Sequence, residues 1–383
     1  MRFVLLIGVL SFFADFTHEG ARGVLGPYLA SLQATAFIVG AVTGFGELMG
    51  YALRYFSGRF AEISGKFWPV TLCGYLLQMT AVPALALTHS WQSAAVFIVL
   101  ERTGRAIRNP PRDAMLSHAA KHIGGYGWTF GIHEACDQFG ALCGPLMISL
   151  ILVHGGSFHQ AFAALLIPAM LNIIFVFIAR RLYPAPEKLE AGNTETATTT
   201  TFSHIYWVYL SGASLVALGF ADYPLLAYHF TREHIITVDW VPVLYAIAMG
   251  VSGGSSLLLG RLFDKYGFRV LISLTFITAF FSPLVFYGGV VGCVVGAMLW
   301  GMGMGVHESI IPAAVSPMTP PSRRASAFGL FTGVYGIFWF IGSAVIGFLY
   351  DDSLHLAMLF CLATQLASLP AFIWVYIKSK MAK

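Results

Sequence analysis

Twelve apolar stretches, each long enough to cross a bilayer, follow one another along this chain with little between them. They run at 3–31, 36–57, 67–88, 92–112, 127–153, 159–181, 205–229, 239–259, 268–289, 291–315, 326–349 and 354–377. A spanning helix needs about 20 predominantly apolar residues. Hydrocarbon offers backbone groups no water, so each stretch is predicted to be a helix that satisfies its own N–H and C=O groups. Of the 383 residues 57% are hydrophobic and 10% charged, against roughly 25% charged in an ordinary soluble domain. Such a chain cannot cover itself with a water-compatible surface, and the expected class is an all-α membrane protein. The stretch beginning at Phe3 exceeds a signal-peptide core and ends at no small-residue cleavage site, so it is read as a span.

One connection is long and polar. Residues 184–204 include Glu195 and the run Thr198 to Thr201 and show no apolar periodicity, which marks a solvated linker. It divides the chain into a first bundle of six spans, 1–183, and a second, 205–383. Lys and Arg then orient the spans: Arg59, Lys66, Arg108, Arg112, Arg180, Arg181, Arg261, Lys265 and Arg269 fall on one side with both termini and the linker, whereas Arg232 is the only basic residue of the opposite loops, near Asp351 and Asp352. The basic side is expected to be cytoplasmic, in a multi-pass protein of a bacterial inner (plasma) membrane. The net charge of +4 is therefore topological, and no nucleic-acid partner is expected. Cys73, Cys136, Cys143, Cys293 and Cys361 lie inside apolar stretches without zinc or disulfide spacing, and read as packing residues.

The two halves repeat each other. Gly58-Arg59-Phe60-Ala61-Glu62-Ile63-Ser64-Gly65-Lys66 follows the second span and Gly260-Arg261-Leu262-Phe263-Asp264-Lys265-Tyr266-Gly267 the eighth, at an offset of 202 residues. The same offset pairs Pro110 with Pro312, Gly127 with Gly329, Gly131 with Gly333 and Gly140 with Gly342. A Phe-Ala-Asp triplet recurs at Phe13-Ala14-Asp15 and Phe220-Ala221-Asp222. The loop pattern, a glycine, an acid four residues later and a glycine beside basic residues, resembles the signature of the major facilitator superfamily. Arg102 to Asp113 resembles the fourth-span signature of its bacterial members, and Gly140-Ala141-Leu142-Cys143-Gly144-Pro145 looks like the glycine-proline motif of its proton-coupled antiporters. The resemblance covers essentially the whole chain and implies the major facilitator fold, 12 transmembrane helices in two pseudo-symmetric six-helix bundles. It also implies a gating role for Gly58, Arg59, Glu62, Gly65, Gly260, Arg261, Asp264 and Gly267. Physically, Glu62 and Asp264 can pair with Arg59, Lys66 or Arg261 near helix ends, or the same charges can simply mark the inner interface.

An ionisable group at the bilayer centre is costly, about 2.5–3.5 kcal/mol even on the lenient scale, and is a functional candidate by default. Asp15, His18, Glu19 and Arg22 are spaced to share one helical face. Glu47 adds to them from the second span, Glu101, Arg102 and Arg105 from the fourth, and His133, Glu134 and Asp137 from the fifth. Arg102 and Asp137 each lie about 15 Å into neighbouring antiparallel spans and are expected within reach of one another. Arg102 and Arg105 suit a carboxylate or phosphate, and the carboxylates and His18 suit proton carriage. The second half offers Asp222, His307 and Glu308, with Tyr335, Phe338 and Trp339 as aromatic lining.

These features point to a secondary active transporter that moves a small, charged solute by alternating access with proton coupling, as a monomer in the lipid bilayer. No phosphate loop or catalytic triad is evident, so neither an enzyme nor a cofactor is expected. Two alternatives stand beside this reading. One is a carrier of divalent metal ions or chelates, with Asp15, His18 and Glu19 as ligands; the other is a transporter-like membrane sensor.

Overall fold

The computed structural model describes residues 2–120, 126–184, 202–311, 314, 315, 318 and 324–381; the side chains of Glu62, Glu134 and Asp264 lie outside that description, as do Pro312 and most of the 184–204 segment. The described elements are all helical. In chain order they are α1 Arg2–Arg22, α2 Leu25–Ser31, α3 Ala36–Ser64, α4 Phe67–Ala84, α5 Trp91–Ala120, α6 Tyr126–Val153, α7 Phe158–Ala164, α8 Leu166–Leu182, α9 His204–Leu218, α10 Tyr223–Arg232, α11 Val241–Tyr266, α12 Phe268–Thr278, α13 Phe281–Tyr287, α14 Gly289–Gly305, α15 Arg324–Asp352 and α16 Leu354–Met381. Eleven segments among the described residues are long and apolar enough to cross a membrane. The remaining expected span is α5, 30 residues long, whose charges Glu101, Arg102, Arg105, Arg108, Arg112 and Asp113 set it apart in composition.

Several spans are broken where the sequence supplies a reason. The seventh stops at Leu218 and restarts at Tyr223 after Asp222 accepts a hydrogen bond from the Tyr223 N–H at 3.0 Å, the side-chain cap that exposed helix N-termini need. The repeated loop ends at Gly65, φ +64°, and at Gly267, φ +62°. A Cβ at either would meet nothing within 4 Å, so it is the left-handed backbone alone that asks for glycine at both.

Contacts divide the chain into two compact units, the first holding 1–34, 45–193 and 237–246, the second 35–44, 194–236 and 247–383. The first unit has a core in which Ile7, Leu10 and Ala14 of α1, Leu72, Tyr75 and Met79 of α4, Met115 of α5 and Val176 of α8 are buried together. Large apolar side chains of α8, among them Ile167, Met170 and Ile174, are exposed, as a lipid-facing surface requires. Within the second unit, Asp351 accepts hydrogen bonds from the backbone N–H groups of Ala36 (3.1 Å) and Phe37 (2.8 Å) and lies 3.6 Å from Arg232. Asp351 thus caps α3 from α15. Asp351→Ala is expected to lower stability by about 1 kcal/mol, with Asp351→Asn costing less because one acceptor oxygen remains. Thermal unfolding in detergent reads the order of the two, and equal losses would count against the capping role.

Candidate functional site

The charges expected on one face of α1 are all inside the first unit, with Asp15, His18, Glu19 and Arg22 each 2–6% exposed. Opposite them α5 presents Glu101, Arg105, Arg108 and Arg112 at steps of four, three and four residues, one stripe of a helix. Glycines set the approach of α4 to α5: a Cβ on Gly74 would lie 2.6 Å from the Arg108 nitrogen and one on Gly104 2.6 Å from the Gln78 nitrogen. That contact brings Gln78, fully buried, onto the charged stripe. A Cβ on Gly46 would lie 2.9 Å from Arg102 Cγ, so α3 makes room for the arginine next to Glu47.

The side chains form a closed ring of alternating charge. From Glu101 it runs to Arg102 (3.6 Å), Glu47 (2.9 Å), Arg22 (3.4 Å), Glu19 (3.9 Å), Arg105 (3.8 Å), Asp15 (3.7 Å) and Arg108 (3.5 Å). Gln78 closes it: Arg108 Nε donates to Gln78 Oε1 at 2.6 Å and Gln78 Nε2 donates to Glu101 Oε1 at 2.8 Å. Tyr245 donates its hydroxyl to Glu19. With its carboxyl groups ionised the ring carries as many negative as positive charges, the condition under which buried ions persist.

His18 spans the ring. Its Nε2 lies 3.0 Å from Arg102 Nη1 and its Nδ1 2.8 Å from Glu101 Oε1. A guanidinium has no acceptor, so Nε2 must accept and the single ring proton sits on Nδ1, donated to Glu101. To take up a second proton His18 would first have to leave Arg102. The same contacts bear on the metal-ion alternative. Both ring nitrogens are engaged, guanidinium groups already hold Asp15 and Glu19, and among the described residues no group of three or more His, Cys, Asp or Glu side chains could hold a metal ion. Asp15, His18 and Glu19 are therefore not a preformed metal site. A cavity of about 10 Å³ borders His18, Arg22 and Glu101 and is otherwise lined by Ala21, Leu25, Val82, Leu85 and Ile98.

Two expectations for the fourth span change. Arg102 is held by Glu47, Glu101 and His18 rather than by Asp137, which lies 3.6 Å from His133. His133 is in turn 2.6 Å from Ser11 Oγ, to which Arg112 donates at 3.1 Å. Arg108 and Arg112, expected at the cytoplasmic edge, are 1% and 5% exposed because α5 runs through Pro110 and Pro111 to Ala120. Arg108 also donates to the Tyr75 hydroxyl at 3.3 Å and lies over its ring. The stripe from Glu101 at helical spacing was the signal that could have found both; for Tyr245 and Gln78 no comparable signal exists.

The second-half candidates are not part of this ring. Asp222 caps α10. His307, in a single π-helical turn at Val306–Ile310, bonds the Tyr335 hydroxyl through Nδ1 and packs on Phe220 at 4.2 Å between ring centres. Such turns gather at functional sites. Glu308, Arg59 and Arg261 are exposed. Gly58 packs on Pro110, 3.1 Å from an added Cβ, and Gly260 has open space. The Glu62, Glu134 and Asp264 side chains fall outside the described residues.

Comparison with known proteins adds lineage to this geometry. The sequence profile of the Major Facilitator Superfamily matches residues 4–343 and 223–381. A Mycobacterium tuberculosis protein is 34% identical over 374 residues, 96% of this chain and 91% of its own. An MFS-type transporter of Methanocaldococcus jannaschii is 26% identical over 372 residues, 93% of this chain and 90% of its own. Among solved structures, the nucleoside transporter NupG superposes with a TM-score of 0.78 at 15% identity, covering 98% of this chain and 99% of that one. The peptide transporter POT in complex with sulfate gives 0.75 at 14% identity, covering 99% and 94%. At such identities the likeness to solved structures speaks for the fold alone.

Proposed function

Because this chain belongs to the major facilitator superfamily, and is therefore a membrane transporter and not an enzyme, we propose that the ring of buried charges is the site through which it moves a small charged solute, coupled to protons, by alternating access. The carrying observation is the alternation of four acidic and four arginine side chains around that ring, which balances with the carboxyl groups ionised. An anionic solute that joins a balanced, desolvated ring leaves one negative charge over, and a proton on a ring carboxylate is the compensating charge that a gradient can drive. Neutral His18 links two members of the ring and transmits a change at one to the other.

Alternating access in parallel-repeat transporters is a rocking of two repeats around the site. We assign the two glycine-acid loops, from Gly58 to Gly65 and from Gly260 to Gly267, to the inner gate, and place both termini in the cytoplasm of a bacterium with the protein acting as a monomer. The basic loops that include Arg59, Lys66, Lys265 and Arg269 support that orientation.

A thermal-shift screen of metabolites and drugs on purified protein supplies the solute, and proteoliposomes supply the test. Flux of a stabilising solute is expected to follow an imposed pH gradient and to collapse with a protonophore. Flux indifferent to the gradient would remove proton coupling, and binding without any flux would favour the sensor.

A further inference from the structure

We propose, resting on the reading of the ring as the solute site, that Arg105 is the group that grips the solute and that the solute presents an oxyanion to it, a carboxylate or a phosphate. The guanidinium groups of the ring are not equivalent. Arg102 lies 2.9 Å from Glu47 and 3.0 Å from His18, with 5% of its side chain exposed. Arg108 donates to Gln78 and Tyr75, with 1% exposed. Among the described residues Arg105 reaches only Asp15 at 3.7 Å and Glu19 at 3.8 Å, both beyond hydrogen-bond length, and its buried Nε finds no partner among them. It is also the most open of the set, with 21% of its side chain exposed.

An arginine offers five N–H donors in a rigid fork that matches two oxygens of a carboxylate or phosphate. Arg105 holds those donors inside the protein without using them, and an incoming oxyanion satisfies them at once. The exchange strands neither neighbour. Asp15 keeps Arg108 at 3.5 Å, and Glu19 keeps Arg22 at 3.9 Å and the Tyr245 hydroxyl. Opening the ring at Arg102 would instead strip Glu47 of its shortest contact and His18 Nε2 of its donor. Asp15 and Glu19 are thus the internal competitors that a solute oxyanion displaces, and removing one of them should tighten binding.

The test is equilibrium binding to the purified full-length protein in detergent, read by thermal shift and by direct titration, which needs no flux. The probes are succinate and benzoate as carboxylates, inorganic phosphate and glycerol 3-phosphate as phosphates, and uridine and choline as neutral and cationic controls. Binding is expected in one oxyanion arm, and which arm responds names the group. Arg105→Gln should weaken it by about tenfold or more, Arg105→Lys should give a smaller loss because charge remains without the fork, and Asp15→Asn should strengthen it. Arg232→Gln, at the α10 end, should leave it unchanged. If Arg105→Gln does not fold, the lysine and Asp15 variants still decide, since a merely structural arginine predicts no gain from Asp15→Asn. Unchanged affinity in Arg105→Gln or weaker binding in Asp15→Asn overturns the assignment, as does absence of oxyanion binding in both the wild type and Asp15→Asn. Stabilisation by uridine or choline alone would overturn it and leave the transporter reading standing.

Discussion

Gly144→Val is expected to prevent folding or to lower stability by more than about 3 kcal/mol, above the usual range for overpacking. A Cβ at Gly144 would stand 2.2 Å from the Phe16 carbonyl oxygen and 2.9 Å from the Gly20 nitrogen, and one at Gly140 2.3 Å from the Phe12 oxygen. These are backbone atoms of α1, which cannot rotate aside as a side chain can. The only relief is to push α1 from α6, and α1 carries Asp15, His18, Glu19 and Arg22. The glycine-proline motif therefore has a structural use on this chain: it sets the depth at which Asp15, Glu19 and Arg22 of the charged ring are held. Gly254→Val is the control, since a Cβ there meets nothing within 4 Å, and only helix propensity should change. Thermal unfolding and gel-filtration behaviour in detergent compare the two. A Gly144→Val protein as stable as the control would show that α1 and α6 do not approach this closely.

The spans were legible because hydropathy is a property of each segment alone. Breaks within spans were less so. The interruption between Leu218 and Tyr223 rests on a cap by Asp222, yet the same Phe-Ala-Asp triplet at Asp15 sits in an unbroken helix, so the triplet does not announce its own conformation. On α1 the spacing of Asp15, His18, Glu19 and Arg22 placed them on one face, and burial of that face followed from their cost in lipid. Their partners did not follow. Whether Arg102 meets Glu47 or Asp137 depends on which helices touch and how deeply, and the glycines that decide this, Gly46, Gly74 and Gly104, are ordinary residues in a membrane sequence. Arg108 and Arg112 were hidden for a different reason. At the end of an apolar stretch a basic residue looks topological, and only the continuation of α5 through two prolines buries it.

Arg102→Gln is expected to abolish transport and to lower stability by about 3–5 kcal/mol, the range for breaking a buried charge pair from one side. The substitution leaves Glu47 with Arg22 at 3.4 Å as its remaining ring partner and takes the donor from His18 Nε2. It also leaves the ring one positive charge short. Arg102→Lys restores the charge, but a single ammonium group replaces a fork that reaches Glu47 through Nη2 and His18 through Nη1, so only part of the stability should return. The informative variant is the double one. Arg102→Gln with Glu47→Gln removes one charge of each sign, and thermal unfolding should show it more stable than Arg102→Gln alone, a coupling that a double-mutant cycle measures. Flux should stay lost if the proposed solute site needs the Arg102 fork itself, because charge balance alone does not restore its contacts to Glu47 and His18. Recovery of both would make Arg102 a structural counterion, whereas recovery of stability without flux separates the ring's role in holding the fold from its role in moving the solute.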